Sequence, residues 1–191
     1  MNATSSATFY IGQVESPIGQ ILVVTQGDVL CSVDFEGYED RMMALLKKRY
    51  GALDLKKGGK MGGICDRIRA YLSGDLHSLD DIPTETSGTE FQQQVWHALR
   101  SIPPGSVITY GELAQQIGRP KAVRAVGMTN GLNPIAIVLP CHRVVGANGK
   151  LTGYAGGLAR KRWLLAHEGV DLGVEDAEND AEAEEQLSMF G

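Results

Sequence analysis

The sequence contains no apolar run that approaches the ~20 consecutive residues needed by a membrane-spanning helix. Its first residues also lack the basic start and apolar stretch of a secretory signal. Only three cysteines occur, Cys31, Cys65 and Cys141, so they cannot all pair with one another. Without an export signal we expect reduced thiols. These absences predict a cytoplasmic protein that is not attached to a membrane.

Cysteine and histidine spacings typical of a zinc site are also missing. Cys31, Cys65 and His77 are too widely separated along the chain for the closely spaced ligand pairs of structural zinc. We therefore expect neither a metal ion nor another cofactor. With 43% hydrophobic and 21% charged residues the composition is that of a folded protein, and 191 residues suffice for one domain or two small ones.

The net charge of −5 conceals a strong asymmetry along the chain. Residues 1–88 carry a net −3, residues 89–170 a net +6, and residues 171–191 a net −8 with no basic residue. A basic segment inside an acidic chain favours a polyanionic partner for that segment alone. A solvated surface with surplus cations is the alternative, and charge by itself leaves both open.

The first half alternates apolar stretches with short turns. Apolar, β-branched segments at 9–14, 20–25 and 30–35 predict three strands of an antiparallel meander. Helical spacing of apolar residues predicts helices over 39–50 and 64–72. We expect a loop rich in glycine and lysine over 51–63 and a turn-rich linker over 73–88.

The second half has the spacing of a helix-turn-helix. Thr89 is placed to cap a helix that runs to about residue 99, and Thr109 a shorter one over 110–117, with Glu112 completing a capping box. A glycine turn leads to a second helix over 121–129. An ordinary pair of antiparallel helices is the commoner structure, but the net +6 favours DNA binding.

The second of these helices is unusual for a reader of base sequence. Ala122, Val123, Ala125 and Val126 have no groups that hydrogen-bond to base edges, which predicts low sequence specificity. Arg124 is the exception, a long cationic side chain on a slim helix. Its side chain is suited to enter a groove or the base stack as a wedge.

A candidate nucleophile follows an apolar run. Residues 135–139 indicate a buried strand, after which Cys141 and His142 stand next to each other. A nearby histidine, acting directly or through a water, helps to form the reactive thiolate, and Glu168 is an acid that could orient the imidazole. The alternative is a buried structural thiol, which we prefer for Cys31 and Cys65.

The pentapeptide Pro-Cys-His-Arg-Val at 140–144 resembles the active-site signature of the O6-alkylguanine-DNA alkyltransferases, also called methylated-DNA–protein-cysteine methyltransferases. Further blocks resemble that family in the same order, at 88–96, 108–114, 120–127, 133–134 and 153–169. The resemblance is strong over 88–170 and loose in the first half, where it rests on 16–19.

The resemblance implies an α/β plus α architecture with two domains. Residues 1–87 would form a small antiparallel, ribonuclease-H-like domain. Residues 88–170 would form a winged-helix-like domain that contains the helix-turn-helix and the catalytic cysteine. Residues 171–191 would be an acidic disordered tail, because their composition lacks the apolar residues needed for packing.

The resemblance also implies a DNA-repair methyltransferase that uses its own cysteine as acceptor. A damaged guanine in double-stranded DNA, or an O4-alkylated thymine, would be flipped into a pocket, where Cys141 attacks the alkyl carbon. His142 would act as base through a water, held by Glu168. Tyr110 would assist the departing guanine, and Asn133 would hold the catalytic segment. A thioether is not hydrolysed, so each molecule would act once.

Seven further residues are expected to contact the base or the DNA. Arg124 would fill the space of the flipped base, Tyr154 would line the pocket, and main-chain groups at two positions would read the guanine edge. The basic side chains would add contacts to DNA or substrate. The set is Arg124, Tyr154, Val144, Ala155, Lys121, Arg143 and Lys161.

Three positions depart from the family pattern. Ala155 replaces a serine of some relatives, which removes a hydroxyl contact to the base. Ala136 replaces a second proline, which suggests a roomier pocket. Leu132 stands where relatives have glycine or arginine, and its role is open. The structural zinc of some members also has no ligand set here.

Other function classes fit less well. An alkyltransferase-like protein binds damaged DNA without chemistry and replaces the nucleophile, whereas Cys141 is present. A transcription regulator would fit the helix-turn-helix but not the apolar recognition helix. A cysteine hydrolase needs an oxyanion site that no residue pattern requires.

The tail ends in a short apolar motif. Gln186, Leu187, Ser188, Met189 and Phe190 resemble the pentapeptide with which bacterial repair and replication proteins bind the sliding clamp. The alternatives are a frayed end, or a tail that folds back on its own basic domain. Apart from this partner and the DNA we expect a monomer.

Overall fold

The computed structural model describes residues 8–59 and 61–171, and its first half is built on a four-stranded sheet. The strands β1 (Thr8–Val14), β2 (Ile21–Gln26) and β3 (Val29–Phe35) form the antiparallel meander that the sequence predicts. Two helices follow, α1 (Glu39–Tyr50) and α2 (Ile64–Leu72), with the predicted bounds.

The prediction of a loop over residues 51–63 is wrong at its centre. Asp54–Lys57 forms β4, which pairs with β1 in parallel, so the sheet has the order β3-β2-β1-β4 and is mixed rather than purely antiparallel. Only Leu55 of this strand is partly buried, and the other three residues are exposed. The sequence of β4 therefore has almost no hydrophobic pattern. The segment is a strand because its backbone pairs with β1.

The two faces of the sheet cover different cores. Alternate residues of the strands point to opposite faces, so Phe9, Leu22, Val24 and Cys31 pack with Met42 and Leu46 of α1. Ile21, Val23, Val33 and Phe35 belong to a larger core that includes α2 and the second half of the chain. The buried Cys31 thus lies in a hydrophobic core, as expected for a structural thiol.

The second half is mainly helical. It contains α3 (Glu90–Leu99), β5 (Ile108–Thr109), α4 (Tyr110–Gln116), α5 (Val123–Gly131), a 3₁₀ turn (Cys141–Arg143), β6 (Val144–Val145) and α6 (Leu158–His167). The predicted capping box of Thr109 with Glu112 is present, and the predicted cap Thr89 forms a second capping box with Gln92. The helix-turn-helix is α4 and α5, and β5 pairs with β6 in parallel. The second helix begins at Val123 rather than at 121.

The prediction of a strand over residues 135–139 is also wrong. The segment curls through turns, in which Val138 N donates to Ala136 O (2.8 Å) and Leu139 N to Ile135 O (3.0 Å). Ile137 has a φ of 68°, a left-handed conformation that is strained for a β-branched residue. All five residues are buried, and burial rather than sheet pairing explains the apolar run.

The two halves are joined along the edge of β3. Val33 N donates to Pro134 O (3.1 Å), Ala136 N donates to Val33 O (3.0 Å), and Ser32 Oγ donates to Pro134 O (3.0 Å). The segment that precedes Cys141 is therefore fixed to the sheet of the first half. Within 8–59 and 61–171, no helix combines the length and apolarity required to cross a bilayer.

Candidate active site

Cys141 opens the 3₁₀ turn and is almost completely buried. The amide nitrogen of Asn133 lies 3.0 Å from its sulfur and also donates to Leu139 O at 2.7 Å. The amide oxygen of Asn133 accepts from Ile135 N at 3.0 Å, and Asn130 donates to Cys141 O at 3.2 Å. Both asparagines, at the end of α5 and just after it, thus connect the helix-turn-helix to the cysteine.

The surroundings of the thiol favour its neutral form at rest. Burial raises the pKa of Cys141 above its ordinary value. The Asn133 hydrogen bond and the positive charges of Lys161 and Arg41 oppose this rise without cancelling it. A protonated thiol needs a base before it can attack a carbon, because the thiolate is the reactive form.

His142 and Glu168 lie together, as the sequence predicted. His142 Nε2 is 2.8 Å from Glu168 Oε1, and both side chains are fully buried. Burial alone would raise the pKa of Glu168, but hydrogen bonds from His142 and Arg143 and the Arg143 charge hold it well below its usual range. An ionised carboxylate only accepts hydrogen bonds, so Nε2 carries the imidazole proton.

The other nitrogen of this imidazole is left as the basic one. Burial lowers the pKa of His142, so the ring is neutral near pH 7. In a neutral ring with hydrogen on Nε2, Nδ1 has a free lone pair. Nδ1 of His142 is buried and has no hydrogen-bond partner among the described residues. The ring therefore presents an unoccupied proton acceptor next to the cysteine in sequence.

The expected contact of Arg143 with DNA or substrate needs correction. Its Nε and Nη2 donate to the two oxygens of Glu168, at 2.9 and 2.8 Å, and its Nη1 donates to Ile102 O. The guanidinium is buried, so a phosphate cannot reach it. Arg143 instead supplies the counter-charge that the buried Glu168 needs.

The expected contact of Lys161 with DNA or substrate also needs correction. It is fully buried, and its Nζ donates to Val144 O at 2.6 Å and Thr152 O at 2.9 Å. Burial lowers its pKa to about 8, although the nearby Cys141 opposes the shift. The ammonium is thus a local positive charge beside the thiol rather than a surface group for DNA.

Two tyrosines lie close to the cysteine. Tyr110, the first residue of α4, has its hydroxyl 3.5 Å from Thr152 O, and burial raises its pKa. Burial likewise raises the pKa of Tyr154 well above normal, and the nearby Cys141 adds to the shift. The Tyr154 hydroxyl is buried and has no hydrogen-bond partner in the described part of the chain. Its hydrogen-bonding capacity is therefore unused among the described residues.

The remaining predicted contacts divide between the interior and the surface. Val144 is buried in β6, and Ala155 is half-buried in the loop before α6. Arg124 on α5 and Lys121 in the turn before it are exposed. Val123 and Met128 of α5 are exposed as well, so the helix that carries Arg124 also exposes apolar side chains.

The structure shows the surroundings of two of the three positions that depart from the family pattern. Ala136 uses its backbone N–H to bond to Val33 O, a contact that a proline at this position could not make. Leu132 is exposed directly after α5 and borders a groove with Leu45 and Trp96. No group of three or more histidine, cysteine or acidic side chains suited to a metal is found within 8–59 and 61–171.

Sequence reasoning missed the residues of the first half that support this site. Tyr71 of α2 donates from its hydroxyl to Glu168 Oε1 at 2.6 Å. Arg41 of α1 is paired with Asp34 and donates to the carbonyls of Gly131 and Asn133, both at 3.1 Å. The contacts to Gly131, Asn133 and Glu168 join residues at least 90 positions apart, and no local sequence signal marks them.

Comparison with known proteins gives a consistent result over both halves. The family model described as 6-O-methylguanine DNA methyltransferase, ribonuclease-like domain, matches residues 8–86. The family model described as 6-O-methylguanine DNA methyltransferase, DNA binding domain, matches residues 90–170. The methylated-DNA–protein-cysteine methyltransferase of Shigella flexneri is 48% identical over 82% of this chain and 94% of that protein. The one from Methanosarcina acetivorans is 46% identical over 84% and 98%.

Solved structures agree with these relatives. A Mycobacterium tuberculosis O6-methylguanine methyltransferase is 40% identical, with a TM-score of 0.69, over 84% of this chain and 93% of that one. The M. tuberculosis protein in complex with DNA is 41% identical, with a TM-score of 0.70, over 84% and 92%. The predicted two-domain fold is thereby confirmed.

The ion pair at the centre of the site predicts the behaviour of the protein in acid. Because folding lowers the pKa of Glu168, its contribution to stability is present above the unfolded value of about 4.3 and is lost as the pH falls below it. Glu168→Gln leaves Arg143 buried without a counter-charge, which costs about 3–5 kcal/mol at pH 7.

Urea unfolding between pH 3 and pH 8 measures this effect. We expect Glu168→Gln to be less stable throughout and to show a smaller loss between pH 5 and pH 3 than the unsubstituted chain. Asp66→Asn is a matched control, since Asp66 forms an exposed pair with Arg69. An acid dependence of Glu168→Gln equal to that of the unsubstituted chain would contradict the assignment.

Proposed function

The chain belongs to the 6-O-methylguanine DNA methyltransferase family, and we propose that it repairs DNA by transferring an alkyl group from O6-alkylguanine to its own Cys141. The observation that carries this proposal is the buried Cys141, bonded to Asn133 and followed by the His142–Glu168 pair. This nucleophile and base lie directly behind a helix-turn-helix. The activity is that of a methylated-DNA–protein-cysteine methyltransferase.

The proposed step forms one bond and breaks one. The Cys141 sulfur attacks the alkyl carbon, a thioether forms, and the bond from that carbon to guanine O6 breaks. The thiol proton passes through a water to His142 Nδ1, which is the free acceptor of that ring. Glu168 then stabilises the imidazolium, and Lys161 stabilises the thiolate before attack.

The electron pair of the broken bond goes to the guanine, whose negative charge a hydrogen bond stabilises as it departs. The one proton released by the thiol and held by His142 then returns through water to the guanine, so that no net proton is gained or lost. Tyr110 is the proposed donor, because its raised pKa keeps its hydroxyl protonated. Tyr154, with its unpartnered hydroxyl, would line the base pocket, together with main-chain groups at Val144 and Ala155. The thioether has no route of hydrolysis here, so the protein acts once. O4-alkylthymine is a second expected substrate.

The DNA would lie against α5. A base inside a duplex cannot be reached by a buried sulfur, so the damaged nucleotide must leave the stack. Arg124 is exposed on α5 and long enough to occupy the vacated space, and the small residues beside it permit close approach of the backbone. Lys121, exposed at the start of this region, would contact phosphates.

A second partner is proposed for the C-terminal motif. Residues 186–190 lie outside the described residues, so this proposal rests on the sequence alone. Gln186 would hydrogen-bond at the rim of a clamp pocket that Leu187, Met189 and Phe190 fill, with Ser188 between them. Tethering by an acidic linker would raise the local concentration of the repair protein on replicating DNA.

Intact-protein mass measures the alkyl transfer directly. Incubation with a duplex that contains O6-methylguanine should add one methyl group, located on the peptide that holds Cys141. Cys141→Ser should bind the duplex and gain no mass, because a hydroxyl is a far weaker nucleophile at neutral pH. Cys31→Ser is the matched control and should react fully. Methylation of Cys141→Ser would contradict the assigned acceptor.

Arg124→Ala should separate base flipping from chemistry. We expect about a tenfold or greater loss of rate on the base-paired lesion and little change with free O6-benzylguanine, since only the duplex requires unstacking. Arg119→Ala removes the same charge from the adjacent turn and should affect both substrates alike. Equal losses on both substrates for Arg124→Ala would assign Arg124 to the fold instead.

Deletion of residues 186–191 tests the clamp motif without changing the net charge. A titration with the bacterial sliding clamp should detect binding of the full chain and lose it in the deleted chain, while repair of a short oligonucleotide stays the same. Clamp binding that is equal in both chains, or absent from both, would refute the motif.

A further inference from the structure

One oxygen of the buried carboxylate collects hydrogen bonds from both halves of the chain. Glu168 Oε1 accepts from His142 Nε2 and Arg143 Nη2, each at 2.8 Å, and from the hydroxyl of Tyr71 at 2.6 Å. Tyr71 is on α2 and is fully buried. The proposed reaction uses His142 and Glu168. It gives no role to the Tyr71 hydroxyl, which comes from the other half of the chain and donates to the same Glu168 oxygen.

Tyr71 also holds the neighbouring residue at the end of α6. Its backbone oxygen is 2.8 Å from His167 Nε2, and its ring meets the His167 ring edge-on with centroids 5.2 Å apart. The same imidazole stacks on Trp163 at 4.8 Å. Tyr71 therefore contacts two consecutive residues, His167 and Glu168, and fixes both the position and the rotation of the carboxylate.

The Tyr71 hydroxyl can act only as a donor towards this oxygen. Burial and the adjacent Glu168 charge raise the pKa of Tyr71, so the hydroxyl keeps its proton throughout the working pH range. A hydrogen bond donated to a carboxylate stabilises its charged form and makes the oxygen a weaker acceptor for other protons. Loss of that bond would make Glu168 attract the His142 proton more strongly.

The largest influences on the pKa of His142 are its burial and three charged neighbours. Glu168 raises its pKa, whereas burial and the positive charges of Arg143 and Lys161 lower it. A base for a thiol must be neutral to accept the proton, so a His142 pKa that rises toward 7 would remove active protein at neutral pH. A weaker Glu168 therefore keeps the base available.

We propose that Tyr71 is a positioning residue for alkyl transfer: from the first half of the chain it fixes Glu168 and limits how strongly Glu168 attracts the proton of His142. This inference rests on the proposed function. It implies that the chemistry depends on the packing of α2 against α6, even though every group in the proposed reaction belongs to the second half.

The test compares two tyrosines of the same half. Tyr71→Phe keeps the ring and removes the hydroxyl. Tyr50→Phe is the matched control, because it also removes a hydrogen-bonded hydroxyl, one that accepts from Arg49, in the core beneath α1. The measurement is the rate of Cys141 alkylation by free O6-benzylguanine from pH 5 to pH 9, so that DNA binding and base flipping play no part. Thermal unfolding of each variant is recorded in parallel.

We expect Tyr71→Phe to react about tenfold more slowly at pH 7, the typical effect of losing a hydrogen bond to a charged group. The acid limb of its rate profile should move up by about half a pH unit or more, because His142 becomes protonated more readily. Tyr50→Phe should keep the profile of the unsubstituted chain, whatever its melting temperature.

A fluorinated tyrosine at position 71 covers the case in which Tyr71→Phe fails to fold. Fluorine preserves the ring and makes the hydroxyl a stronger donor, so the acid limb should move to lower pH, opposite to Tyr71→Phe. An unchanged acid limb in either variant overturns the proposal. So does a slower rate with an unchanged pH profile, because it would mean that Tyr71 only supports the fold. Failure of the proposed function is distinguishable, since the unsubstituted chain would then show no alkylation of Cys141.

Discussion

A buried carboxylate needs partners, and the candidate site is arranged around that requirement. Taking a charge out of water costs several kcal/mol unless hydrogen bonds and an opposite charge replace the solvent. Glu168 obtains both from Arg143, and further donors from His142 and Tyr71. These contacts bring together α2, the 3₁₀ turn and the end of α6. The orientation of the proposed base is therefore set by the same bonds that stabilise the interior.

The first half of the chain acts as a support for the second. The edge of β3 holds the turn-rich segment before Cys141 through Val33, and Arg41 of α1 bonds to the carbonyl of Asn133. The strained backbone of Ile137 lies in this segment. A conformation of this kind persists only where surrounding contacts determine it. The sheet thus contributes to the geometry of the cysteine although none of its residues takes part in the proposed reaction.

Burial of the thiol explains how a reactive cysteine can stay unreacted. The raised pKa of Cys141 keeps the sulfur protonated, and its small exposed area limits contact with oxidants and soluble electrophiles. In the proposed reaction, the neutral His142 is the base that takes the thiol proton, and the positive charge of Lys161 favours the thiolate. An acceptor that is consumed in one reaction benefits from this selectivity.

Local patterns by themselves determined much of this protein. The bounds of α1 and α2, the cap at Thr89, the capping box of Thr109 and the helix-turn-helix follow from spacings within a few residues. The pairing of His142 with Glu168 followed from the family resemblance. Tertiary structure alone decided the rest. Asp54–Lys57 is a strand because β1 lies beside it. Residues 135–139 are bonded to β3 only at their start, and their later N–H groups bond within the segment. Arg143 and Lys161 face inward because a buried carboxylate and buried carbonyls need donors. Tyr71 donates a hydrogen bond to Glu168, which lies 97 positions further along the chain. Such contacts depend on which distant segments meet in the folded chain. A local sequence pattern reflects only the periodicity and capping of its own segment, so it does not identify these partners.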